Sequence, residues 1–184
     1  MLWPNEALIV VDLQNEYEAS GKLPLENLDQ AVANAKRVLT AARDGEEMIV
    51  HIRHETPNLD AVPFAIGTSG TEIIAAVAPV DGETTLTKHY PNAFRDTGLK
   101  ALLDDASVQE VIIVGAMSHM CIDATARAAF DFGYAVTVID DACATRALSI
   151  NGVEVPADHV HAAFMAALAF AYGQVVSTAD FLPA

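Results

Sequence analysis

A cysteine that follows a strand-like apolar run is the clearest candidate for a reactive group in this chain. Residues 111–115 read Val-Ile-Ile-Val-Gly, a short polar turn follows, and Cys121 then opens a stretch with helical periodicity. This order predicts that the sulfur lies at a helix N-terminus, where free N–H groups and the helix dipole favour a thiolate. A thiolate can attack a carbonyl carbon while neighbouring N–H groups hold the oxyanion. The alternative is a buried, inert cysteine, since free cysteine is among the most buried residue types.

Two further polar residues directly follow other strand-like runs. Asp12 comes after residues 8–11 and Lys88 after residues 84–87. Because ligands of an open parallel sheet bind beyond the carboxyl ends of its strands, we expect Asp12, Lys88 and Cys121 to meet at one edge. There a carboxylate can take the thiol proton, and an ammonium can stabilise both anions. The alternatives are a turn-capping aspartate and an exposed lysine.

The elements that must position these residues alternate between short apolar runs and helical patterns. The runs predict strands at residues 7–11, 48–52, 83–87, 108–114, 135–139 and 174–177. The helical patterns cover residues 28–42, 96–104, the stretch after Cys121, and 157–172. Continuous β-branched runs separated by helices indicate a parallel sheet covered on both faces, an α/β sandwich. The helix after Cys121 has one face suited to packing on that sheet, formed by Ile122, Ala126, Ala129, Phe130 and Gly133.

Two segments stand apart from this alternation. Residues 55–82 are the least regular part of the chain, either a lid over an active site or an irregular surface loop. The helix at 157–172 is apolar on nearly every side, so it is buried in the domain core or against another subunit. We favour the subunit contact, to which Trp3 is a further candidate, and predict a homo-oligomer (a dimer or larger).

Length and composition restrict the class of protein. For 184 residues we expect one domain, residues 1–184, with a full core of its own. The formal net charge of −15 argues against nucleic acid or an anionic membrane surface as partner. The first cation is Lys22, so no signal or transit peptide is expected. Two cysteines outside any CxxC or zinc-finger pattern favour free thiols and a cytoplasmic location.

Three motifs, spread over residues 6 to about 180, resemble those of the isochorismatase-like cysteine hydrolases. In the family's order they are Ala7-Leu-Ile-Val-Val-Asp-Leu-Gln-Asn15, Thr87-Lys-His-Tyr-Pro-Asn-Ala-Phe94 and Val114-Gly-Ala-Met-Ser-His-Met-Cys-Ile-Asp-Ala-Thr-Ala-Arg-Ala-Ala-Phe-Asp-Phe-Gly-Tyr134. The resemblance implies a Rossmann-like three-layer sandwich with a six-stranded parallel sheet. It also implies a catalytic triad at Asp12, Lys88 and Cys121.

The same resemblance implies a non-proline cis peptide bond before the nucleophile, at Ala116-Met117. In the family this bond directs the N–H of the following residue, here Met117, into an oxyanion hole together with the N–H of Cys121. Five residues in or near the motifs are candidate substrate-binding residues, namely Gln14, Tyr90, Asn92, Phe94 and His119. Each also has a structural interpretation, such as a turn cap for Gln14, a core position for Phe94 or a solvent-facing turn position for His119.

The family contains nicotinamidases, N-carbamoylsarcosine amidases and other amide hydrolases beside the true isochorismatases. True isochorismatases cleave a vinyl ether and lack the nucleophilic cysteine. Cys121 therefore favours hydrolysis of a small amide or related C–N bond through a thioester, a reaction that requires no cofactor. A vinyl-ether hydrolase with an idle Cys121, and a thiol sensor or binding domain without catalysis, are the alternatives.

Nicotinamidases of this family hold a metal through an Asp-x-His motif after the second strand and a later histidine. Residues 51–55 here read His-Ile-Arg-His-Glu without that aspartate, and residues 56–80 contain no histidine. We therefore expect no metal site and interpret His51 and His54 as strand-end or pocket-wall residues.

Overall fold

The computed structural model describes residues 5–58 and 63–182, so Trp3 lies outside the described residues. The elements follow one another along the chain as β1 (Glu6–Val11), α1 (Leu28–Asp44), β2 (Met48–His54), β3 (Thr84–Lys88), α2 (Leu99–Asp105), β4 (Glu110–Ala116), α3 (Asp123–Asp131), β5 (Ala135–Ala144), β6 (Leu148–Ile150), β7 (Val153–Val155), α4 (Ala157–Ala171), β8 (Gln174–Val176) and α5 (Thr178–Phe181). No helix of the described part is long and apolar enough to cross a membrane.

Six of these strands form one parallel sheet in the order β3-β2-β1-β4-β5-β8. Helices α1 and α5 pack on one face of the sheet, and α2, α3 and α4 pack on the other. The prediction of a three-layer α/β sandwich with six parallel strands is thereby confirmed. The chain leaves β1 toward β2 on one side and returns to β4 on the other, so β1 and β4 flank the topological switch point, where such sheets bind ligands.

Strand β1 shows why these runs form a doubly covered sheet. Leu8 and Val10 belong to the core under α1, whereas Ala7, Ile9 and Val11 belong to the core on the opposite face. Both sets are almost fully buried, and a strand buried on both faces needs an unbroken apolar run.

Gly115 permits the close approach of β4 to β1 at the switch point. It pairs with Val11, has a φ of 134°, and a Cβ there would lie 1.9 Å from the Val11 carbonyl oxygen. No other residue type fits this position without moving the strands apart. The glycine thus keeps the ends of β1 and β4 together, next to Asp12 and the turn that carries Cys121.

The irregular segment is attached to the chain just after β1. Gln14 and Ile73 form an antiparallel bridge, the Asn15 N–H donates to Glu72 O at 2.9 Å, and the Ile74 N–H donates to Leu13 O at 2.9 Å. The described part of the segment, from residue 63 onward, is therefore bonded beside the carboxyl end of β1. The hydrophobic pattern did not predict this, because the backbone bonds and the buried side chains that hold the segment, Phe64, Ile74 and Val77, follow no regular period.

Three smaller features also differ from the sequence expectations. The β6–β7 hairpin and α5 were not predicted, since each spans only three or four residues. Phe130, expected on the sheet-packing face of α3, is 46% exposed and instead meets Tyr172 edge to face. Helix α4, for which a subunit contact was predicted, buries one side in the core and leaves Phe170 91% exposed, so that prediction stays open.

Candidate active site

Asp12 turns the chain out of β1 at the switch point. Its φ of 50° places it in the left-handed region, which aspartate tolerates better than most residues with a Cβ. The residue is fully buried, and its backbone N–H donates to Ile52 O at 2.9 Å. This bond to β2 fixes the base of the side chain.

Lys88 is the last residue of β3 and is 1% exposed. Since β2 lies between β3 and β1, the side chain crosses the end of β2 to reach the switch point. Its Nζ lies 2.7 Å from Asp12 Oδ2 and 3.3 Å from Cys121 Sγ. The three side chains predicted from separate strand ends are therefore in direct contact through one ammonium.

Cys121 lies in a single π-helical turn, Ser118–Ile122, which continues directly into α3. The Ala116-Met117 peptide bond before this turn is cis. The Ile122 N–H donates to Met117 O at 3.2 Å, five residues back, and this wide turn leads the chain from β4 into the helix. The sulfur is thus near the N-terminus of a helical stretch, 5% exposed, and faces Lys88.

The protonation state of Cys121 differs from the one expected from the helix dipole. Burial raises the pKa of the thiol, the Asp12 carboxylate raises it further, and Lys88 only partly opposes them. The shift favours a resting thiol, with the Asp12 carboxylate beside it as the predicted acceptor of its proton. The sequence shows the helix start but not how completely the sulfur is buried.

The Lys88 ammonium is held in its charged form. Burial alone would lower the pKa of Lys88, but Asp12 and Cys121 together outweigh that effect, and the net shift is upward. Apart from Lys88 and the Cys121 thiol, no donor in the described residues contacts either Asp12 carboxylate oxygen. The Asp12 carboxylate therefore retains lone pairs that can accept a proton.

The two histidines of β2 have different partners. His54 Nδ1 lies 3.2 Å from Lys88 Nζ, whereas His51 Nε2 lies 2.8 Å from Glu83 Oε2, away from the triad. Within residues 5–58 and 63–182, no group of three or more His, Cys, Asp and Glu side chains is arranged to hold a metal ion. An imidazole nitrogen that faces an ammonium is also a poor ligand for a cation.

Gln14 lies beneath the site and is fully buried. Its amide donates to His54 O at 2.9 Å and to Thr71 O at 2.8 Å, while its Oε1 accepts from the His54 N–H at 2.8 Å. Both donors of the side chain are thus used within the protein. Gln14 therefore joins β2 to the irregular segment, and its side chain has no donor left for a substrate.

The other candidate substrate-binding residues do not share one position. The Tyr90 ring lies under the Arg95 guanidinium, 3.6 Å from its Cζ, and Asn92 Oδ1 accepts from the Phe94 N–H at 2.8 Å in a local turn. Phe94 is buried in the core on the α2 and α3 side of the sheet and packs against the rings of Phe132 and Tyr134, which favours its structural interpretation.

His119 is the candidate that lies within the nucleophile turn. It is half-buried, its Nδ1 lies 2.6 Å from Thr145 Oγ1, and its ring meets Phe164 of α4 edge to face. The neighbouring Ser118 Oγ lies 2.8 Å from His161 Nδ1, also on α4. These bonds tie the turn to β5 and α4.

Two aromatic residues near the triad were missed in the sequence. Tyr17 is 2% exposed, and its pKa is raised by burial and then by Cys121 and Asp12, so its phenol lies within the electrostatic field of the site. Phe64 meets Tyr17 edge to face at 5.1 Å and His54 at 5.3 Å. Phe64 stands in the irregular segment, where no periodicity identifies an inward side chain.

A family model, similar sequences and similar solved structures all relate this chain to the isochorismatase family. A family model described as the isochorismatase domain matches residues 6–180. An uncharacterised isochorismatase family protein of Bacillus subtilis is 44% identical over 176 residues, covering 96% of this chain and 98% of that protein. The maleamate amidohydrolase of Pseudomonas putida is 31% identical over 159 residues, covering 76% of this chain and 72% of that enzyme. A crystal structure assigned to the isochorismatase hydrolases, from Oleispira antarctica, is 44% identical with a TM-score of 0.94, covering 98% of each chain.

Fold and sequence together define a hydrolase built on a three-layer α/β sandwich with a parallel sheet. More particularly, the chain belongs to the isochorismatase family, because the family model covers nearly its whole length.

Proposed function

We propose that this protein hydrolyses a small amide or related C–N bond through a thioester on Cys121. The observation that carries the proposal is one buried ammonium in contact with both a carboxylate and a thiol, at 2.7 and 3.3 Å. An inert cysteine needs neither neighbour. A buried lysine and aspartate that only stabilised the fold would not need a thiol as the third member.

The first half of the reaction forms the acyl-enzyme. Asp12 takes the proton of the Cys121 thiol while Sγ bonds to the substrate carbonyl carbon, whose oxygen becomes the oxyanion. The N–H groups of Met117 and Cys121 hold that oxyanion. The C–N bond then breaks, and the departing amine takes the proton from Asp12.

The second half returns the enzyme to its resting state. Asp12 takes a proton from water, the resulting hydroxide attacks the thioester carbon, and the carboxylic acid product leaves as the C–S bond breaks. Cys121 Sγ then recovers the proton from Asp12. Lys88 stays charged throughout and stabilises whichever of its two neighbours is the anion.

The similarity to an enzyme named maleamate amidohydrolase supports an amide as the substrate class. The protonated resting thiol also supports a carboxylate base, since a thiol with a raised pKa needs a proton acceptor beside it before it can attack.

The test is a screen of amides, carbamoyl compounds and lactams for turnover, combined with intact-mass detection of an adduct from substrate or iodoacetamide. We expect turnover in the wild type and in Cys143→Ala, which removes the other buried cysteine, but not in Cys121→Ala. Turnover that survives in Cys121→Ala would overturn the thioester route and favour vinyl-ether hydrolysis. A wild type that never forms an adduct at Cys121 would overturn it as well.

We also propose that the protein self-associates through α4. The helix exposes apolar side chains on the side away from the core, with Phe170 91% exposed, which is unusual for a free surface. A second copy of the chain offers the same apolar face and makes a closed contact by two-fold symmetry. We expect light scattering after gel filtration to give a multimer for the wild type and a monomer for Phe170→Asp. A monomeric wild type would refute the proposal.

A further inference from the structure

One buried contact of Lys88 has no part in the reaction described above. Its Nζ lies 3.2 Å from His54 Nδ1, in addition to its contacts with Asp12 and Cys121. We propose that His54 is a positioning residue, which accepts a hydrogen bond from the Lys88 ammonium and so holds Nζ between Asp12 and Cys121. This inference rests on the proposed function, in which Lys88 stabilises the reacting thiol.

The three N–H donors of the Lys88 ammonium explain why the contact with His54 Nδ1 matters. An ammonium has three N–H donors directed to the corners of a tetrahedron and no acceptor. Three groups surround Lys88 Nζ: Asp12 Oδ2 forms an ion pair with it at 2.7 Å, while His54 Nδ1 at 3.2 Å and Cys121 Sγ at 3.3 Å are its hydrogen-bond partners. Because Lys88 is 1% exposed, bulk water does not stand in for a lost acceptor. Removing the imidazole nitrogen leaves a buried donor that turns toward Asp12, the nearer and charged acceptor, and so draws the ammonium away from Cys121.

His54 is itself fixed by its surroundings. Both of its backbone groups are bonded to the Gln14 side chain, at 2.8 and 2.9 Å, and it is paired with Lys88 in the register of β2 and β3. Its ring meets Phe64 edge to face, with the centroids 5.3 Å apart and the planes at 85°. The imidazole is therefore a rigid acceptor that locates the end of a long, flexible side chain.

The contact also determines the tautomer of His54. Nδ1 can accept from an ammonium only when it carries no proton, so the ring is neutral and its proton is on Nε2. Burial, followed by the charge of Lys88, lowers the pKa of His54 to about 4, while Asp12 opposes this shift and His89 adds to it. The acceptor is present throughout the neutral pH range.

The consequence falls on Cys121. Lys88 lowers the pKa of the thiol against the effects of burial and Asp12. An ammonium that moves away from the sulfur leaves the thiol harder to ionise, so alkylation at a fixed pH becomes slower. A histidine that merely fills space has no such effect on the pH dependence of the reaction.

The experiment measures the rate of Cys121 alkylation by iodoacetamide from pH 6 to 10, with the site of the adduct identified by peptide mapping. His54→Phe keeps a ring but removes the acceptor, and His54→Asn keeps an acceptor oxygen close to the position of Nδ1. We expect His54→Phe to shift the profile toward higher pH by about one unit, which is about a tenfold lower rate at pH 7.5. His54→Asn should recover most of the rate, and His89→Asn, at an exposed neighbour of Lys88, should match the wild type.

The outcomes separate the two proposals. A His54→Phe profile equal to that of the wild type, while Lys88→Met shifts it, would overturn the role of His54 and leave the proposed function intact. A profile that Lys88→Met does not shift would overturn the proposed function itself.

A second measurement uses the unaltered protein and does not depend on whether the variants fold. Long-range ¹H–¹⁵N NMR at pH 7 should show His54 with an unprotonated Nδ1 and a protonated Nε2. A proton on Nδ1 would overturn the positioning role.

Discussion

Two clusters beside β2 and β3 contain the same kinds of group and differ in one respect that decides their chemistry. Each joins a carboxylate, a basic side chain and a histidine of β2. In the first, Glu83 is bonded by Arg43 and His51. In the second, Asp12 is bonded by Lys88, which also contacts His54.

The Glu83 carboxylate is saturated with donors. Arg43 reaches it through Nε at 2.6 Å and Nη2 at 2.9 Å, His51 Nε2 lies at 2.8 Å, and the Val80 N–H donates at 2.9 Å. Burial alone would raise the pKa of Glu83, but the bonds from Arg43, Val80 and His51 lower it to about 2. Four donors hold this carboxylate in its charged form, which fits a cluster that joins α1 to the strands.

Asp12 has one cation and one thiol as its only donors within the described residues. The comparison teaches that a buried ion pair is structural when its carboxylate is fully bonded, and ready for proton transfer when it is not. Residue types alone therefore do not separate the two clusters, whereas the number of donors to the carboxylate does.

The largest effect expected from this difference is that of Asp12→Asn on turnover. An amide cannot take the thiol proton, so hydrolysis should fall by about 10²- to 10⁴-fold. The same change removes a negative charge that raises the pKa of Cys121, so the alkylation profile should shift toward lower pH. Steady-state kinetics on a substrate from the screen and iodoacetamide rates measure the two effects. An unchanged turnover would show that Asp12 is not the base.

Glu83→Gln makes the matched change in the saturated cluster and should affect stability. The amide leaves Arg43 and His51 without their full set of acceptors, at a cost of about 1–3 kcal/mol in the free energy of unfolding. Urea unfolding followed by circular dichroism measures that loss. Turnover per folded molecule should stay within about twofold of the wild type. A drop as large as that for Asp12→Asn would show that the two clusters are not functionally distinct.

The sequence predicted the contact among Asp12, Lys88 and Cys121 because all three follow strand-like runs, and parallel strands bring their ends to one edge. It did not predict the contact between Lys88 and His54, although register pairs these residues on neighbouring strands. The register between β2 and β3 depends on the path of the irregular segment that connects them. The hydrophobic periodicity of the sequence does not predict that path. The raised pKa of Cys121 was missed for a related reason, since burial is a property of the packed fold and not of the helix start.

The smallest expected effect is on the pH dependence of the free energy of unfolding, because the two carboxylate clusters lose stability in different pH ranges. The pKa of His54 is about 4 in the folded protein, against an ordinary value of 6.5. Between these two values the unfolded chain binds more protons, so stability rises with pH. The corresponding window for Glu83 runs from about 2 to 4.5. His54→Asn should therefore reduce the loss of stability between pH 7 and 5, by at most about 1.4 kcal/mol per pH unit. Urea midpoints of the wild type and of His54→Asn at pH 7 and 5 measure this difference. Parallel slopes in the wild type and His54→Asn would mean that His54 is not neutral in the folded protein, because only a buried neutral imidazole makes the folded state reject a proton that the unfolded chain accepts.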